Sequence, residues 1–274
     1  MIKITVLSEN SATTGFLAEW GLSILIEVDG HRYLLDTSQS FTAVHNAQLL
    51  GIDLATVEKV ILSHGHYDHT GGLLEVLRRT GPIDIIAHPD IWEAKYAVYG
   101  EYRRYIGIPF SREQLEGLGA CFHLSRQPVW LDERTVTSGE IPMTTEYEAP
   151  DARLCVREGD SFRPDPFADD LAVAIKSQEG LVIVLGCGHR GMINTIRHFQ
   201  EITGEERVHT IVGGTHLIAA SPEWLAQASE DLRRIGVGRI GVSHCTGLPA
   251  SCWLAGEFPE AFFSSNAGMS FTVP

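Results

Sequence analysis

The chain has 274 residues, 44% of them hydrophobic and 20% charged, which is enough apolar material for one large domain with a buried core. Its formal net charge of −14 excludes the broad basic face that sequence-independent nucleic-acid binding requires, so the expected partner is a small molecule. No run of about 18 apolar residues is present to span a membrane, and five irregularly spaced cysteines do not make a disulfide framework, so a reducing, cytoplasmic setting is expected.

Residues 2–7 read as a strand, too short for a secretory h-region. Residues 22–28 and 31–36 read as a β-hairpin turned at Asp29-Gly30 and ending at Asp36. Residues 41–50 carry Val44, Ala47 and Leu50 at helical spacing, with Gly51 closing the helix. A short apolar strand at 59–62 leads into Ser63-His64-Gly65-His66-Tyr67-Asp68-His69-Thr70-Gly71-Gly72, and a helix follows at 73–79. Three histidines and an aspartate therefore sit in a strand-to-helix turn. In extended chain, residues two apart point the same way, so His64 and His66 can bind one ion together. Asp68 and His69 lie further round and can face a second position. Neutral imidazole and carboxylate suit zinc, iron and, with more oxygen, manganese.

A strand at 83–87 ends at His88, which is expected to be structural. Residues 89–131 read as a helical insertion near the mouth of the site, with a Ser111-x-x-Gln114 capping box opening a short helix. Its aromatics beside Arg103 and Arg104 suit either a flat anionic substrate or a surface helical hairpin packed on the body. From Cys121 the pattern turns to short strands. Residues 143–168 have few apolar runs and read as a functional loop or lid. A second hairpin covers 169–175 and 181–186 and ends at Cys187-Gly188-His189, before a helix at 192–203. A strand from 208 ends at His216. Ser221 and Pro222 open a helix that Gly236 closes, and a strand at 239–243 ends at His244. The tail reads as a short helix and edge strands.

The second half thus repeats the grammar of the first, which predicts two packed sheets with helices outside. Asp36, His64, His66, Asp68, His69, His189, His216 and His244 each follow an apolar run and a small residue. His31, His45, His123, His198 and His209 lack that setting.

The pattern His-x-His-x-Asp-His at 64–69 resembles the signature of the metallo-β-lactamase superfamily. Gly-Cys-Gly-His at 186–189, Gly-Gly-Thr-His-Leu at 213–217 and Ser-His-Cys-Thr-Gly at 243–247 narrow the resemblance. They are similar to a subgroup that holds the archaeal dihydropterin ribofuranosylaminobenzene-phosphate synthases and bacterial metal-dependent hydrolases. The resemblance implies a layered α/β fold, an αββα sandwich, formed as a single domain over residues 1–274. It implies two divalent ions, zinc foremost, with manganese or iron as alternatives. His64, His66 and His189 would hold one ion, and Asp68, His69 and His244 the other. Asp36 would support the site from behind. Asp68 and His216 are the catalytic candidates, His216 as general acid or substrate contact. The expected activity is hydrolysis of a phosphoester or other small anionic ester by metal-activated water. The alternative is a synthase of the ribofuranosylaminobenzene-phosphate type.

Two features depart from the superfamily pattern. Cys187 stands where most dinuclear members have a bridging aspartate. Either its thiolate binds an ion or it fills space beside a ligating His189, and the second is expected. The isolated histidine usual before the second hairpin is missing, and Asp165, Asp169 and Asp170 are the candidates to replace it.

Overall fold

Leu25 and Ile26 are neighbours in one strand, yet each is buried in a different core. A strand covered on both faces reads as a continuous apolar run, and its alternating side chains feed opposite layers. That division organises the whole molecule. The computed structural model describes residues 1–274. Its first half forms β1 (Ile2–Ser8), β2 (Ser23–Val28), β3 (His31–Leu35), α1 (Thr42–Leu49), β4 (Lys59–Ile61), the single turn α2 (Tyr67–Thr70), α3 (Leu73–Thr80), β5 (Ile83–Ala87), β6 (Lys95–Tyr99), β7 (Tyr102–Tyr105), α4 (Arg112–Glu116) and β8 (Ala120–Leu124). The second half forms β9 (Thr135–Thr137), β10 (Leu154–Glu158), β11 (Ser161–Pro164), β12 (Ala172–Ser177), β13 (Gly180–Leu185), α5 (Met192–Thr203), β14 (Val208–Gly214), α6 (Pro222–Ile235), β15 (Arg239–Ser243), α7 (Gly247–Glu257) and β16 (Ser270–Val273).

Seven strands form one sheet in the order β16-β1-β2-β3-β4-β5-β8, and five form a second in the order β15-β14-β13-β12-β9. Ile24, Ile26 and Leu35 of the first sheet meet Val173, Ile175, Val182 and Val184 of the second in a shared core. On the outer face of the first sheet, Leu25, Leu34, Val60 and Ile85 pack against Ala43 and Ala47 of α1 and Val76 of α3. On the outer face of the second, Ile183 and Ile211 pack against Ile196 and Phe199 of α5, Leu232 of α6 and Leu254 of α7. The layers are therefore helix, sheet, sheet, helix, as the sequence grammar requires. The local signals hold as well. Ser111 and Gln114 form the reciprocal capping box of α4, and Ser221 caps α6, which ends at a left-handed Gly236.

Within each sheet the strands nearest the site run parallel: β3 with β4 and β5, and β13 with β14 and β15. Parallel strands place their carboxyl ends on one edge. Asp36, Ser63, Cys187, Thr215 and His244 all follow such ends, so the fold gathers them at a common rim.

The insertion at 89–131 is mainly strand, not the helical segment expected: its one α-helix is α4. Residues 95–99 and 102–105 form a β-hairpin, and 120–124 join the seven-stranded sheet beside β5. Segment 154–164, inside the region expected to be a lid, forms a second hairpin. Its strand β10 pairs with β6, giving a third sheet in the order β11-β10-β6-β7. The aromatic run 91–99 was ambiguous in period, and its pairing partner lies about sixty residues away, beyond any local signal.

The third sheet is tied to the body by a buried ion cluster. Lys95 Nζ donates to Asp165 Oδ2 at 2.7 Å and to Asp169 Oδ1 at 2.9 Å, and all three side chains are at most 1% exposed. The second oxygen of Asp169 accepts the Gly65 N–H at 2.9 Å, so the cluster reaches the metal-type turn itself. A Cβ at Gly65 would lie 2.2 Å from the Ile91 carbonyl oxygen, so the close approach requires glycine. Lys95→Met should destabilise the fold by about 3–5 kcal/mol in urea unfolding, because two buried carboxylates lose their countercharge. A loss below about 1 kcal/mol would show that the cluster does not anchor the third sheet.

Candidate metal centre

Asp36 is fully buried at the end of β3 and its carboxylate takes three hydrogen bonds. Ser63 N–H donates to Oδ1 at 2.7 Å, Ser63 Oγ–H to Oδ2 at 2.7 Å, and His69 Nδ1–H to Oδ2 at 2.6 Å. Ser63 Oγ also lies 2.9 Å from His64 Nδ1, which donates to it because the hydroxyl proton is committed to Asp36. These bonds place the protons of His64 and His69 on Nδ1 and leave their Nε2 lone pairs facing inward. At the end of β13 a Cβ on Gly186 would sit 2.2 Å from Ser63 Oγ and 3.1 Å from Asp36 Oδ2, so only glycine lets the second half-chain close over this group.

Two sets of donor atoms converge on the rim. In the first, His64 Nε2 lies 2.9 Å from His66 Nδ1 and 3.3 Å from His189 Nε2. In the second, His69 Nε2 lies 3.1 Å from His244 Nε2, which is 3.5 Å from Asp68 Oδ2. Asn10 Oδ1 accepts the Gly21 N–H at 3.3 Å, so at 2.9 Å from His244 Nδ1 it accepts there too. His244 therefore also turns an Nε2 lone pair inward. Two lone pairs facing each other at this distance repel unless a cation lies between them. The edge of a tetrahedral ligand set with bonds near 2.0–2.1 Å is about 3.3 Å, which the spacing fits.

Electrostatics point the same way. Burial holds His64, His66, His189 and His244 below the ordinary imidazole range, so they are neutral donors. Burial also opposes charge on His69, but Asp36 overrides it and raises the pKa to about 9, so a metal ion at Nε2 would take the place of a proton there. Left-handed backbone recurs around the site, at Asp36, Ser38, Phe167, His216 and His244. Such conformations are costly for non-glycine residues and persist where the surroundings fix them.

The six expected ligands are thus brought together as two triads, His64 with His66 and His189, and Asp68 with His69 and His244. Cys187 is buried among these donors. Its Sγ lies 3.2 Å from His69 Nε2, within reach of both triads. His216 sits beside them, its ring 4.1 Å from that of His189, close enough to form a donor group with Cys187 and His189. Neither of its ring nitrogens has a hydrogen-bond partner. Asp165 and Asp169 do not replace the missing histidine, because their oxygens are engaged by Lys95 and Gly65. Asp170 accepts the Arg190 N–H at 2.9 Å, and burial raises its pKa to about 7. His88 is buried and accepts the Asp90 N–H, a structural role.

Several supporting residues gave no sequence signal. Asn10 orients His244, and Glu9 accepts the His244 N–H at 2.9 Å. Phe167 stacks on His189 at 3.9 Å with rings 9° from parallel. Cys245 Sγ accepts the His216 N–H at 3.2 Å. The Glu9-Asn10 pair follows a strand end as the ligands do, which is the one clue that was available.

Of the donors, His66, Asp68, Cys187, His189 and His244 line an open cavity of about 700 Å³, and His64 and His69 are fully buried beside them. Trp20 walls the cavity on one side, its ring 5.1 Å from that of His244. Tyr99, Tyr102 and Arg104 of the third sheet wall it on another.

Comparison with known proteins agrees with this geometry. A family model described as the metallo-beta-lactamase superfamily matches residues 21–193. The chain is 34% identical to the 7,8-dihydropterin-6-methyl-4-(beta-D-ribofuranosyl)-aminobenzene-5'-phosphate synthase of Methanocaldococcus jannaschii, over 97% of this chain and 95% of that protein. It is 28% identical to Tm1679, described as a metal-dependent hydrolase of the beta-lactamase superfamily, with a TM-score of 0.86 over 100% of this chain and 99% of that one. The metallo-beta-lactamase fold protein YhfI from Bacillus subtilis shares the fold at a TM-score of 0.58 and 14% identity, covering 99% of this chain and 100% of its own. With the signature turn, the layered sheets and these relatives in agreement, the chain belongs to the metallo-beta-lactamase superfamily.

Proposed function

We propose that the protein is a metal-dependent hydrolase of a phosphoester or other small anionic ester, with two divalent ions. The observation that carries this reading is the convergence of inward-facing imidazole lone pairs, a carboxylate and a thiol on the floor of an open cavity. His64, His66 and His189 would hold one ion. Asp68, His69 and His244 would hold the other, with Cys187 Sγ within reach. Imidazole and sulfur donors favour zinc over manganese or iron. When bound, the ions would supply Lewis acidity to an ester oxygen and lower the pKa of water to about 7.

The protein's own groups divide the remaining work. Asp36 and Asn10 hold three imidazoles in the tautomer that presents Nε2. Asp68 lines the cavity and its carboxylate can take up a proton from the attacking water. His216 lines the cavity with both ring nitrogens unpaired, placed to give a proton to the leaving oxygen.

A second reading rests on the 34% identity to the archaeal synthase over nearly the whole chain. In it the same site would hold a phosphorylated sugar donor and join it to an aromatic amine, without attack by water. Assay of the zinc- and manganese-loaded protein on p-nitrophenyl phosphate and bis(p-nitrophenyl) phosphate separates the two. Metal-dependent turnover supports hydrolysis. Absence of turnover, together with diphosphate-dependent binding of an aromatic amine, supports the synthase.

Three substitutions test the residues. The double variant His64→Ala, His66→Ala should lose bound metal in elemental analysis, and unchanged stoichiometry would sink the assignment. His216→Ala should keep its metal while kcat falls about 10²–10⁴-fold; loss of an ion in parallel would make His216 a ligand instead. Asp36→Ala should weaken metal affinity about 10–100-fold in chelator competition, and unaltered affinity would remove its orienting role.

A further inference from the structure

Strand β7 presents alternate residues to opposite sides. Tyr102, Arg104 and the following Ile106 line the cavity, whereas Arg103 lies over the Phe162 ring at 5.1 Å and donates to the Glu101 carbonyl. Of two adjacent arginines, one therefore faces the site. Its cross-strand partner is Ala97, and beside that pair Tyr99 faces Tyr102. A small residue opposite Arg104 leaves room for the guanidinium between the strand and the cavity.

The charge of Arg104 is not neutralised. The other arginine lining the cavity, Arg153, is held by both oxygens of Asp151 at 2.6–3.1 Å. Arg104 has no carboxylate within salt-bridge distance. It lies over the Tyr67 ring at 5.1 Å. A guanidinium carries five N–H donors, more than contact with the Tyr67 side chain can occupy, so donors remain for a ligand. Tyr67 stands between His66 and Asp68, and its N–H donates to the Ile106 carbonyl at 2.9 Å, so Arg104 is fixed to the metal turn on both sides. A protein with a net charge of −14 keeps an unpaired cation here, next to exposed aromatic walls.

We propose that Arg104 forms an anion subsite on the third-sheet wall of the cavity, and that the substrate is a planar aromatic compound with a second anionic group, carboxylate or phosphate, remote from the group at the metals. The aromatic body would lie against Tyr99, Tyr102 and Trp20, and the remote anion would accept the in-plane N–H donors of Arg104. This rests on the proposed metal centre for which end faces inward, and not on whether the ester is hydrolysed. Arg104 is thus a specificity residue, distinct from the groups that handle protons.

The test uses two probes that cannot be hydrolysed, phenylphosphonate and 4-carboxyphenylphosphonate, titrated calorimetrically into the zinc-loaded protein. The carboxylated probe should bind about tenfold more tightly, the range of one charge-assisted hydrogen bond. Arg104→Ala should abolish that preference, with phenylphosphonate affinity and zinc content unchanged. Arg103→Ala, on the opposite face, should retain it. Replacing the carboxylate by a phosphonate in a third probe distinguishes which anion is preferred, and either preference supports the subsite. Equal affinity for the first two probes, failure of both to bind, or a preference surviving in Arg104→Ala would overturn the proposal. A protein that shows the preference yet turns over no phosphoester would keep the Arg104 subsite and lose the hydrolase reading.

Discussion

One buried carboxylate holds the site together. Asp36 accepts three hydrogen bonds at 2.6–2.7 Å, from the Ser63 backbone, the Ser63 hydroxyl and His69. Through Ser63 it also fixes His64. A buried carboxylate is expensive unless fully bonded, and here the bonds that stabilise it set two imidazole tautomers. Those tautomers aim lone pairs into a common space, where a cation would relieve their mutual repulsion. The proposed metal site would therefore link the stability of the fold and the affinity for metal at a single side chain. The glycine at 186 completes the arrangement, since any side chain there would collide with the Ser63 hydroxyl.

The sheets explain why the remaining donors arrive at the same place. Each half-chain supplies parallel strands, and their carboxyl ends share one edge. Ligands placed just after strand ends converge without any ligand needing to be near another in sequence: His69 and His244 are 175 residues apart, yet their Nε2 atoms lie 3.1 Å from each other. The metal turn is braced from outside by Asp169, which joins the Gly65 amide to the buried Lys95 cluster. The third sheet is thus part of the support of the site as well as its outer wall.

Much of the fold was legible locally. The hairpin at Asp29-Gly30, the capping box at Ser111, the Ser221-Pro222 start and the Gly236 stop all reflect short-range backbone chemistry, and each is present as read. The metal turn was legible because four donor side chains in six residues have few other uses. Segment 91–105 was misread because its aromatics carry no decisive period, and its strand state is conferred by β10. Asp165 and Asp169 looked like spare ligands because a sequence does not reveal that Lys95 is buried between them.

The sequence by itself determined the layered α/β class, the superfamily signature and the identity of the strand-end donors, since periodicity, turn residues and motif spacing are properties of neighbouring residues. Only the tertiary structure decided the distances at which the donors converge, that the Cys187 sulfur lies among them, and that Arg104 faces the cavity while Arg103 does not. Those facts depend on pairings between distant segments, and on which side of a strand the register turns toward the site. A one-residue shift of β7 would exchange the two arginines, and nothing within Tyr-Arg-Arg-Tyr chooses between the registers; the pairing with β6 does.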